Sequence, residues 1–566
     1  MMLKNPKDKY KPFEFFDFKE RTWPSKKIEQ SPIWCSTDLR DGNQALANPM
    51  DHSRKLKFFE LLVDCGFKEI EVAFPAASDT DFNFVRFLIE QNKIPDDVTI
   101  QVMTQARADL IEKTFQSLNG AKQAIVHVYN ATAEVFRRIV FQKSKAEVIK
   151  LAVESTRHIK SLCSKHPETK WTFQYSPETF CFTEIDFALE VCEAVAELWD
   201  PTPENPMIIN LPTTVEVSTP NIFADQIEFF CTHFSKRENV CISIHPHNDR
   251  GTGVATAELA LMAGADRVEG CLFGNGERTG NVDLVNIALN MYTQGISPNL
   301  NFSDIKNVAE VVKECNELPI HPRHPYIGEL VYTAFSGSHQ DAIKKGFKAR
   351  KSQNHPYWEV PYLPIDPADL GCSYEAVIRV NSQSGKSGAS WILLQNHGIN
   401  LPNNLQIAFS KVVQKITDTN KKELSHAEIW NVFVKEYGVT TNPDNFKLIN
   451  YDSNKIGESF EVKFSFNHDD NTIYLKGAGN GLLSASINAL NIQWPYKVTI
   501  AEYTEHTLGK NSNSRSISYI CCIDQNGKSY WGVSIHTDIA SASIQALLNA
   551  YFKCYKENFN KVLEAI

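Results

Sequence analysis

A histidine pair near the middle of the chain has the spacing of a metal-binding motif. His245 and His247 stand in the segment HPHND, directly after the apolar run 240–244. Residues i and i+2 of an extended strand point to the same side, so both imidazoles can face one divalent cation. The pair is equally compatible with two hydrogen-bonded structural histidines, so further ligands are needed before it indicates a metal site.

An acidic residue near the N-terminus offers such a ligand. Asp41 lies in DLRDGNQ, residues 38–44, at the end of the apolar run 33–37. Two histidines and a carboxylate form a site with open positions, which can polarise a substrate carbonyl. Arg40 would then stand beside the negative charge that develops on that oxygen. The alternative is a surface Asp/Arg turn in which Gly42 supplies an unusual backbone angle.

Other polar residues lie within or soon after further apolar runs. Glu178 follows the run 171–175 and is a candidate for proton transfer, with a capping role as the alternative. Asn281 closes a glycine-rich loop at 274–281 and offers an amide oxygen to a hard metal. His127 lies inside the run 124–129, where a histidine is usually satisfied within a core. His339, in SGSHQD, lies in a polar segment that packing does not explain.

Eight apolar, β-branched runs must position these residues. They cover residues 33–37, 69–74, 98–103, 124–129, 171–175, 207–211, 240–244 and 267–272. Near-continuous hydrophobic segments are typical of parallel strands buried on both faces, and stretches of helical length separate them. Eight strands that alternate with helices predict an α/β fold, a (β/α)8 TIM barrel with catalytic residues at the carboxyl ends of its strands. An open doubly wound sheet is the alternative.

The second half of the chain has a different texture. A region rich in His, Pro, Gly and Tyr covers 318–362, a helical stretch covers 405–437, and alternating strands follow residue 442. Two similar segments, LLSASINALN at 482–491 and IASASIQALLN at 539–549, predict the helices of an internal repeat whose unit is strand–strand–helix. We therefore expect an N-terminal extension at 1–30, the barrel at 31–320, a small α/β linker region at 321–435 and a C-terminal α+β domain with a pseudo-repeat at 436–566.

Composition limits the classes of protein further. The chain of 566 residues is longer than one hydrophobic core allows, and its 42% apolar residues are ordinary for a globular protein. A total of 58 Lys and Arg against 67 Asp and Glu gives a net charge of −9, which argues against nucleic acid as a partner. No apolar run is long enough for a membrane span. The thirteen scattered cysteines predict reduced thiols and a cytoplasmic protein.

Seven segments together resemble the α-isopropylmalate synthase family, in its longer-chain bacterial and fungal type. They are DLRDGNQAL, FPAASDTDF, INLPTTVEVSTPN, HPHNDRGTG, GCLFGNGERTGNVDL, SGSHQDAIKKG and YEAVIRVNSQSGKSG. The looser superfamily shares only the D-x-R-D-G and H-x-H-N-D elements. The resemblance implies condensation of acetyl-CoA with 3-methyl-2-oxobutanoate and thioester hydrolysis, which give (2S)-2-isopropylmalate and CoA in leucine biosynthesis.

The resemblance also implies roles for particular residues of this chain. The matches are metal ligands at Asp41, His245, His247 and Asn281, catalytic positions at Arg40, Glu178, His339 and Tyr374, and keto-acid contacts at His127, Ser176 and Thr214. His339 and Tyr374 would complete the site from the partner subunit of a homodimer. The metal would be Mg²⁺, Mn²⁺ or Zn²⁺, with K⁺ as a candidate activator.

The C-terminal domain resembles that family's leucine-binding regulatory domain. Its glycine-rich segment 477–481 precedes a predicted helix, and backbone N–H groups at such a place can bind a carboxylate. L-leucine would therefore be a feedback inhibitor that contacts Gly479, Gly481, Leu483 and Tyr503. The alternatives are a citramalate or homocitrate synthase with a different keto-acid pocket, a metal-dependent lyase, and a non-catalytic amino-acid sensor.

Overall fold

The chain folds into two compact units. The computed structural model describes residues 2–11, 13, 16, 18–334, 336–353, 356–372, 386–420, 424–439, 446–468, 471–494, 496–509 and 514–564. The first unit comprises Met1–Val331 with Ile365–Ser373, and the second comprises Tyr332–Pro364 with Tyr374–Ile566. The predicted barrel lies in the first unit, and the predicted repeat lies in the second.

The first unit contains a closed barrel of eight parallel strands, which confirms the predicted fold class. The strands are β1 (Ile33–Ser36), β2 (Glu69–Ala73), β3 (Thr99–Gln105), β4 (Gln123–Ala131), β5 (Lys170–Glu178), β6 (Met207–Pro212), β7 (Val240–His245) and β8 (Arg267–Gly270). Strands pair in sequence order, and β8 closes the barrel by pairing with β1. This closure excludes the open doubly wound sheet. Most residues of these strands are buried on both faces, so each strand lies in an apolar run of the sequence.

Helices follow the strands around the outside of the barrel. They are α1 (His52–Asp64), α2 (Asp79–Glu90), α3 (Ala108–Leu118), α4 (Lys145–Lys165), α5 (Ile185–Trp199), α6 (Pro220–His233), α7 (Gly253–Met262), α8 (Leu284–Thr293) and α9 (Ile305–Asn316). Side-chain caps determine several of their starts. Ser144 and Glu147 form a capping box at α4, and Asp283 accepts hydrogen bonds from two backbone N–H groups at α8. The cap at Asp283 therefore fixes the end of the loop that carries Asn281.

Five of the fully buried polar side chains on the strands are joined by hydrogen bonds, and we call this group the barrel polar layer. They are Glu71, Gln101, Gln174, Arg267 and Glu269. Arg267 donates from Nη1 to Glu269 Oε1 at 2.7 Å and from Nη2 to Gln101 Oε1 at 2.9 Å. These hydrogen bonds satisfy groups that would otherwise be costly to bury.

In the described part of the second unit, four helices precede the repeat. They are α10 (Gly337–Gln353), α11 (Lys386–His397), α12 (Asn403–Asn420) and α13 (His426–Tyr437). Leu393, Phe409 and Phe433 from the last three of these helices share one hydrophobic core with Tyr519 and Val533 of the C-terminal domain. A division of the chain at residue 435 would therefore pass through a packed core, and the predicted boundaries stay a prediction.

The C-terminal domain contains two similar halves, as the repeated segments predicted. The first half is β9 (Lys447–Ile456), β10 (Ser459–His468), β11 (Asn471–Gly479) and α14 (Leu482–Gln493), and the second is β12 (Val498–Leu508), β13 (Arg515–Asp524), β14 (Ser529–His536) and α15 (Ile539–Glu564). Each half is a three-stranded antiparallel sheet followed by a helix, one strand more than the predicted unit. Val462 and Ile544 belong to one shared core, so the halves form a single domain.

A glycine in the last strand of each half lets the helix approach the sheet closely. A Cβ atom on Gly477 would lie 2.2 Å from the backbone oxygen of Ala485, and one on Gly532 would lie 2.1 Å from that of Ala546. Both distances are far below van der Waals contact. The close packing of helix on sheet therefore requires glycine at these two positions.

Two further expectations concern membrane spans and the state of the cysteines. Among the described residues, no helix combines the length and apolar character needed to cross a membrane. All thirteen cysteines are free thiols.

Candidate active site

Asp41, His245 and His247 meet at the carboxyl ends of the barrel strands. Asp41 lies in a π-helical turn, Asp38–Gly42, that follows β1, and His245 ends β7. Asp41 Oδ2 is 3.3 Å from His245 Nε2 and 3.7 Å from His247 Nε2. The two segments converge because β1 and β7 both pair with β8. All three side chains are buried, so solvent does not separate them.

The donor set of this cluster fits a divalent metal ion. One ligand atom from each of the three residues lies within 4.8 Å of the others. Asn281 adds an amide oxygen, Oδ1, at 2.8 Å from His245 Nε2. Two imidazole nitrogens with carboxylate and amide oxygens suit Mg²⁺, Mn²⁺ or Zn²⁺ and leave positions open for a substrate.

The charges of the cluster favour an ionised carboxylate. Burial alone would raise the pKa of Asp41, but the Arg40 guanidinium and hydrogen bonds from both histidines hold it well below its usual range. Burial would lower the pKa of His245, but Asp41 and Glu269 outweigh it and raise that pKa to about 10. A cation that binds here therefore takes the place of a proton on His245.

Arg40 is clamped between two carboxylates. Its Nη1 lies 2.6 Å from Asp41 Oδ1, and its Nε lies 2.5 Å from Glu71 Oε2. The Arg40 side chain is 7% exposed, so a small part of its surface is open to a bound substrate. A guanidinium held from two sides is pre-organised to meet negative charge on a substrate oxygen.

His127 and Ser176 continue the same hydrogen-bond chain. His127 Nδ1 lies 3.0 Å from Glu71 Oε1, and His127 Nε2 lies 2.8 Å from Ser176 Oγ. Asn210 Nδ2 donates to Ser176 Oγ at 3.1 Å. Both ring nitrogens of His127 therefore have hydrogen-bond partners within the barrel core, as expected for a histidine on a strand. His127 also lines the cavity above the candidate metal site.

A cavity of about 230 Å³ lies above the cluster. Its lining comprises Arg40, Asp41, Gln44, Phe74, Met103, His127, Tyr129, Ser176, Glu178, Asn210, Pro212, Thr214, His245, His247, Glu277 and Arg278. Burial raises the pKa of Glu178, and the charge of Arg40 only partly offsets this. Thr214, with a φ of 52°, accepts a hydrogen bond on Oγ1 from the backbone N–H of Thr179 at 2.9 Å. The cavity thus combines cationic, acidic and apolar walls on the scale of a small carboxylic acid.

Comparisons with known proteins agree with this arrangement. Residues 31–312 match the HMGL-like family, 329–394 the "Alpha-isopropylmalate synthase, post-catalytic domain-like" family, and 423–555 the "LeuA allosteric (dimerisation) domain" family. A 2-isopropylmalate synthase of Marinomonas sp. (strain MWYL1) is 60% identical over 98% of this chain and 100% of its own length. One from Pseudomonas putida (strain W619) is 56% identical over 97% of each chain.

The chain belongs to the 2-isopropylmalate synthase family. Membership makes it an acyltransferase with a catalytic barrel and a LeuA regulatory domain. The HMGL-like family generally depends on a divalent metal, and Asp41, His245 and His247 form a possible site for one.

The family resemblance assigns catalytic roles to two residues from the region of the sequence after the barrel. His339 is exposed in the first turn of α10, and its ring stacks on that of Tyr362 with the centroids 4.1 Å apart. Tyr374 lies outside the described residues. The roles of both residues stay predictions.

The four candidate effector residues lie in the C-terminal domain of this family member. Gly479 ends β11, and Gly481 stands at the N-cap of α14 in an extended conformation. A Cβ atom on Gly481 would meet nothing within 4 Å. Leu483 lies in the first turn of α14. Tyr503, on β12, donates a hydrogen bond to Glu505 and lies 3.2 Å from Ser543 Oγ.

Sequence reasoning missed the barrel polar layer around the site. Glu71 holds Arg40, and Glu269 lies 2.8 Å from His245 Nδ1. The available signal was a charged residue inside an apolar run, as in EIEVA and RVEG. Such a residue must find partners within the fold, which makes it a candidate support for a functional site.

Proposed function

We propose that this chain condenses acetyl-CoA with 3-methyl-2-oxobutanoate and hydrolyses the thioester, which gives (2S)-2-isopropylmalate and CoA for leucine biosynthesis. The observation that carries this proposal is the buried Asp41, His245 and His247 cluster beside Arg40, at the floor of a cavity of about 230 Å³. A 2-oxo acid offers two neighbouring oxygens to a cation, so it fits a site with open positions.

Asp41, His245, His247 and Asn281 would hold the cation, which is Mg²⁺, Mn²⁺ or Zn²⁺. When bound, it supplies Lewis-acid polarisation of the keto carbonyl. Arg40 would stabilise the negative charge that appears on the former keto oxygen, because Glu71 and Asp41 already aim its guanidinium. His127, Ser176 and Thr214 would bind the carboxylate and branched end of the keto acid, and K⁺ would act as an activator.

Proton transfer needs a base for the methyl group of acetyl-CoA. Glu178 faces the cavity, and its raised pKa brings it closer to the pH at which a general base is most effective. His339 is the second candidate, and His339 and Tyr374 would both reach the site from the partner subunit of a homodimer. The proton would pass to one of these groups as the new carbon–carbon bond forms.

L-leucine would inhibit the enzyme through the C-terminal domain. The open N-terminus of α14 at Gly481 offers backbone N–H groups to a carboxylate. Gly479, Leu483 and Tyr503 would complete this site.

The test is an assay of free CoA released from acetyl-CoA, with keto acids and metals varied. We expect the highest kcat/KM with 3-methyl-2-oxobutanoate and loss of activity after removal of metal by a chelator. Preference for pyruvate would instead indicate a citramalate synthase, and preference for 2-oxoglutarate a homocitrate synthase. Asp41→Asn should abolish CoA release, whereas Asp109→Asn, at an exposed ion pair with Arg107, should not.

A further inference from the structure

The metal-facing histidine His245 is held from behind by a carboxylate. Glu269 is fully buried, and its Oε2 lies 2.8 Å from His245 Nδ1. The opposite ring nitrogen, Nε2, faces Asp41 Oδ2 at 3.3 Å and Asn281 Oδ1 at 2.8 Å. A carboxylate on Nδ1 keeps a proton on this nitrogen, so when a cation takes the place of the proton on Nε2, the lone pair of Nε2 is directed at the cation.

Glu269 is itself held in one position by the barrel polar layer. Its Oε1 accepts hydrogen bonds from Arg267 Nη1 at 2.7 Å, from Gln174 Nε2 at 2.7 Å and from Gln101 Nε2 at 3.1 Å. The Arg267 guanidinium compensates the buried negative charge. Three donors on one oxygen orient the carboxylate and leave Oε2 free for His245.

His247 has no comparable support. Its Nδ1 is buried and lacks a hydrogen-bond partner within the described part of the chain. Its ring lies near that of His245, with the centroids 5.1 Å apart. In the described part of the chain, His245 is therefore the histidine of the pair whose Nδ1 is held by a carboxylate.

We infer that Glu269 is a positioning residue, which fixes the ring and tautomer of His245 and thereby strengthens binding of the divalent cation. This inference rests on the metal site of the proposed function. It adds Glu269, which takes no part in the proposed catalytic steps. Partners of this kind typically change metal affinity by about 10- to 100-fold.

The test measures binding of Mn²⁺ to the metal-free full chain by electron paramagnetic resonance, without substrates. Glu269→Gln should raise the Kd for Mn²⁺ about 10- to 100-fold. Glu269→Asp keeps a charge opposite Arg267 but withdraws it from His245, and it should also weaken binding. Glu69→Gln is the matched control, because Glu69 Oε2 lies 2.6 Å from Arg267 Nε without contacting His245. Its Kd should equal that of the parent.

Thermal unfolding of the metal-free variants separates a metal effect from a fold effect. Parental affinity in a folded Glu269→Gln or Glu269→Asp protein, or an equal loss in Glu69→Gln, would overturn the inference. If neither Glu269 variant folds, Glu269 supports the fold rather than the metal and the inference is also overturned. If the parent does not bind Mn²⁺, Zn²⁺ or Mg²⁺, the metal site of the proposed function fails, whereas a different keto-acid preference leaves the Glu269 result unaffected.

Discussion

Buried carboxylates position the basic side chains of the site. Glu71 contacts both Arg40 and His127, and Glu269 contacts His245. The functional groups therefore owe their positions to side chains that do not face the cavity.

Arg40→Lys should lower kcat about 100-fold or more. A lysine ammonium cannot contact Asp41 and Glu71 with a planar fork, so it would lose the fixed direction toward the keto oxygen. The measurement is steady-state CoA release at saturating substrates. Arg107→Lys, at an exposed ion pair with Asp109, is the control and should retain parental kcat. A fall of kcat in Arg40→Lys no larger than in the control would contradict this role.

His339→Ala should lower kcat far more than it raises KM for the keto acid, because a proton-transfer group acts in the transition state rather than in binding. His397→Ala is a matched control. His397 is likewise exposed, and it stacks on Trp430 with the centroids 4.0 Å apart, much as His339 stacks on Tyr362. Equal changes in kcat and KM for His339→Ala would refute its role in proton transfer.

At the scale of the element, the strands were predictable and the polar layer between them was not. Each strand lies in an apolar run because most of its residues are buried. The pairing of β8 with both β7 and β1 around the barrel places Asp41 beside the histidines. A lone polar residue in such a run, such as Glu269 or Gln101, does not indicate whether its side chain points into the barrel. Glu269 accepts hydrogen bonds from Arg267, Gln174 and Gln101, which lie on three different strands. Their spacing in the sequence does not predict these contacts.

Gly532→Ala should destabilise the C-terminal domain. A Cβ atom would lie 2.1 Å from the backbone oxygen of Ala546, so α15 must move away from β14, at a typical cost of about 1–3 kcal/mol. Thermal unfolding of the full chain followed by calorimetry should show a lower midpoint for the transition that includes this domain. Gly481→Ala is the control, because its Cβ would meet nothing within 4 Å and its φ of −174° suits any residue. Equal midpoints in both variants would argue against this close packing.

At the scale of the whole molecule, the helices between the barrel and the repeat belong in part to the regulatory domain. Leu393, Phe409 and Phe433 are buried with Tyr519 and Val533. Removal of residues after 435 would expose these side chains, so loss of leucine response in a shortened chain has an ambiguous cause. Regulation is better tested by a point substitution in the full chain.

Leucine should inhibit CoA release by the full chain, and Gly481→Val should raise the half-inhibitory leucine concentration at least about tenfold, or ~1.4 kcal/mol in binding. A branched side chain at the N-cap of α14 has room in the fold but would cover the backbone N–H groups offered to the carboxylate. The measurement is a leucine titration at fixed substrate concentrations. Ser453→Val, at an exposed position of β9, is the comparison, because a strand accepts a branched residue there. An unchanged half-inhibitory concentration in Gly481→Val would place the leucine site elsewhere.

Closure of the barrel between its first and last strands has a consequence for the order of folding. Ile33 pairs with Arg267, so the seam joins segments more than two hundred residues apart in the chain. Asp41 and His245 therefore come together only after every intervening strand has been synthesised and placed, which makes the metal site a late product of folding. A cation added during refolding should leave the early phases unchanged and slow the unfolding of the finished barrel, because it binds only the closed form.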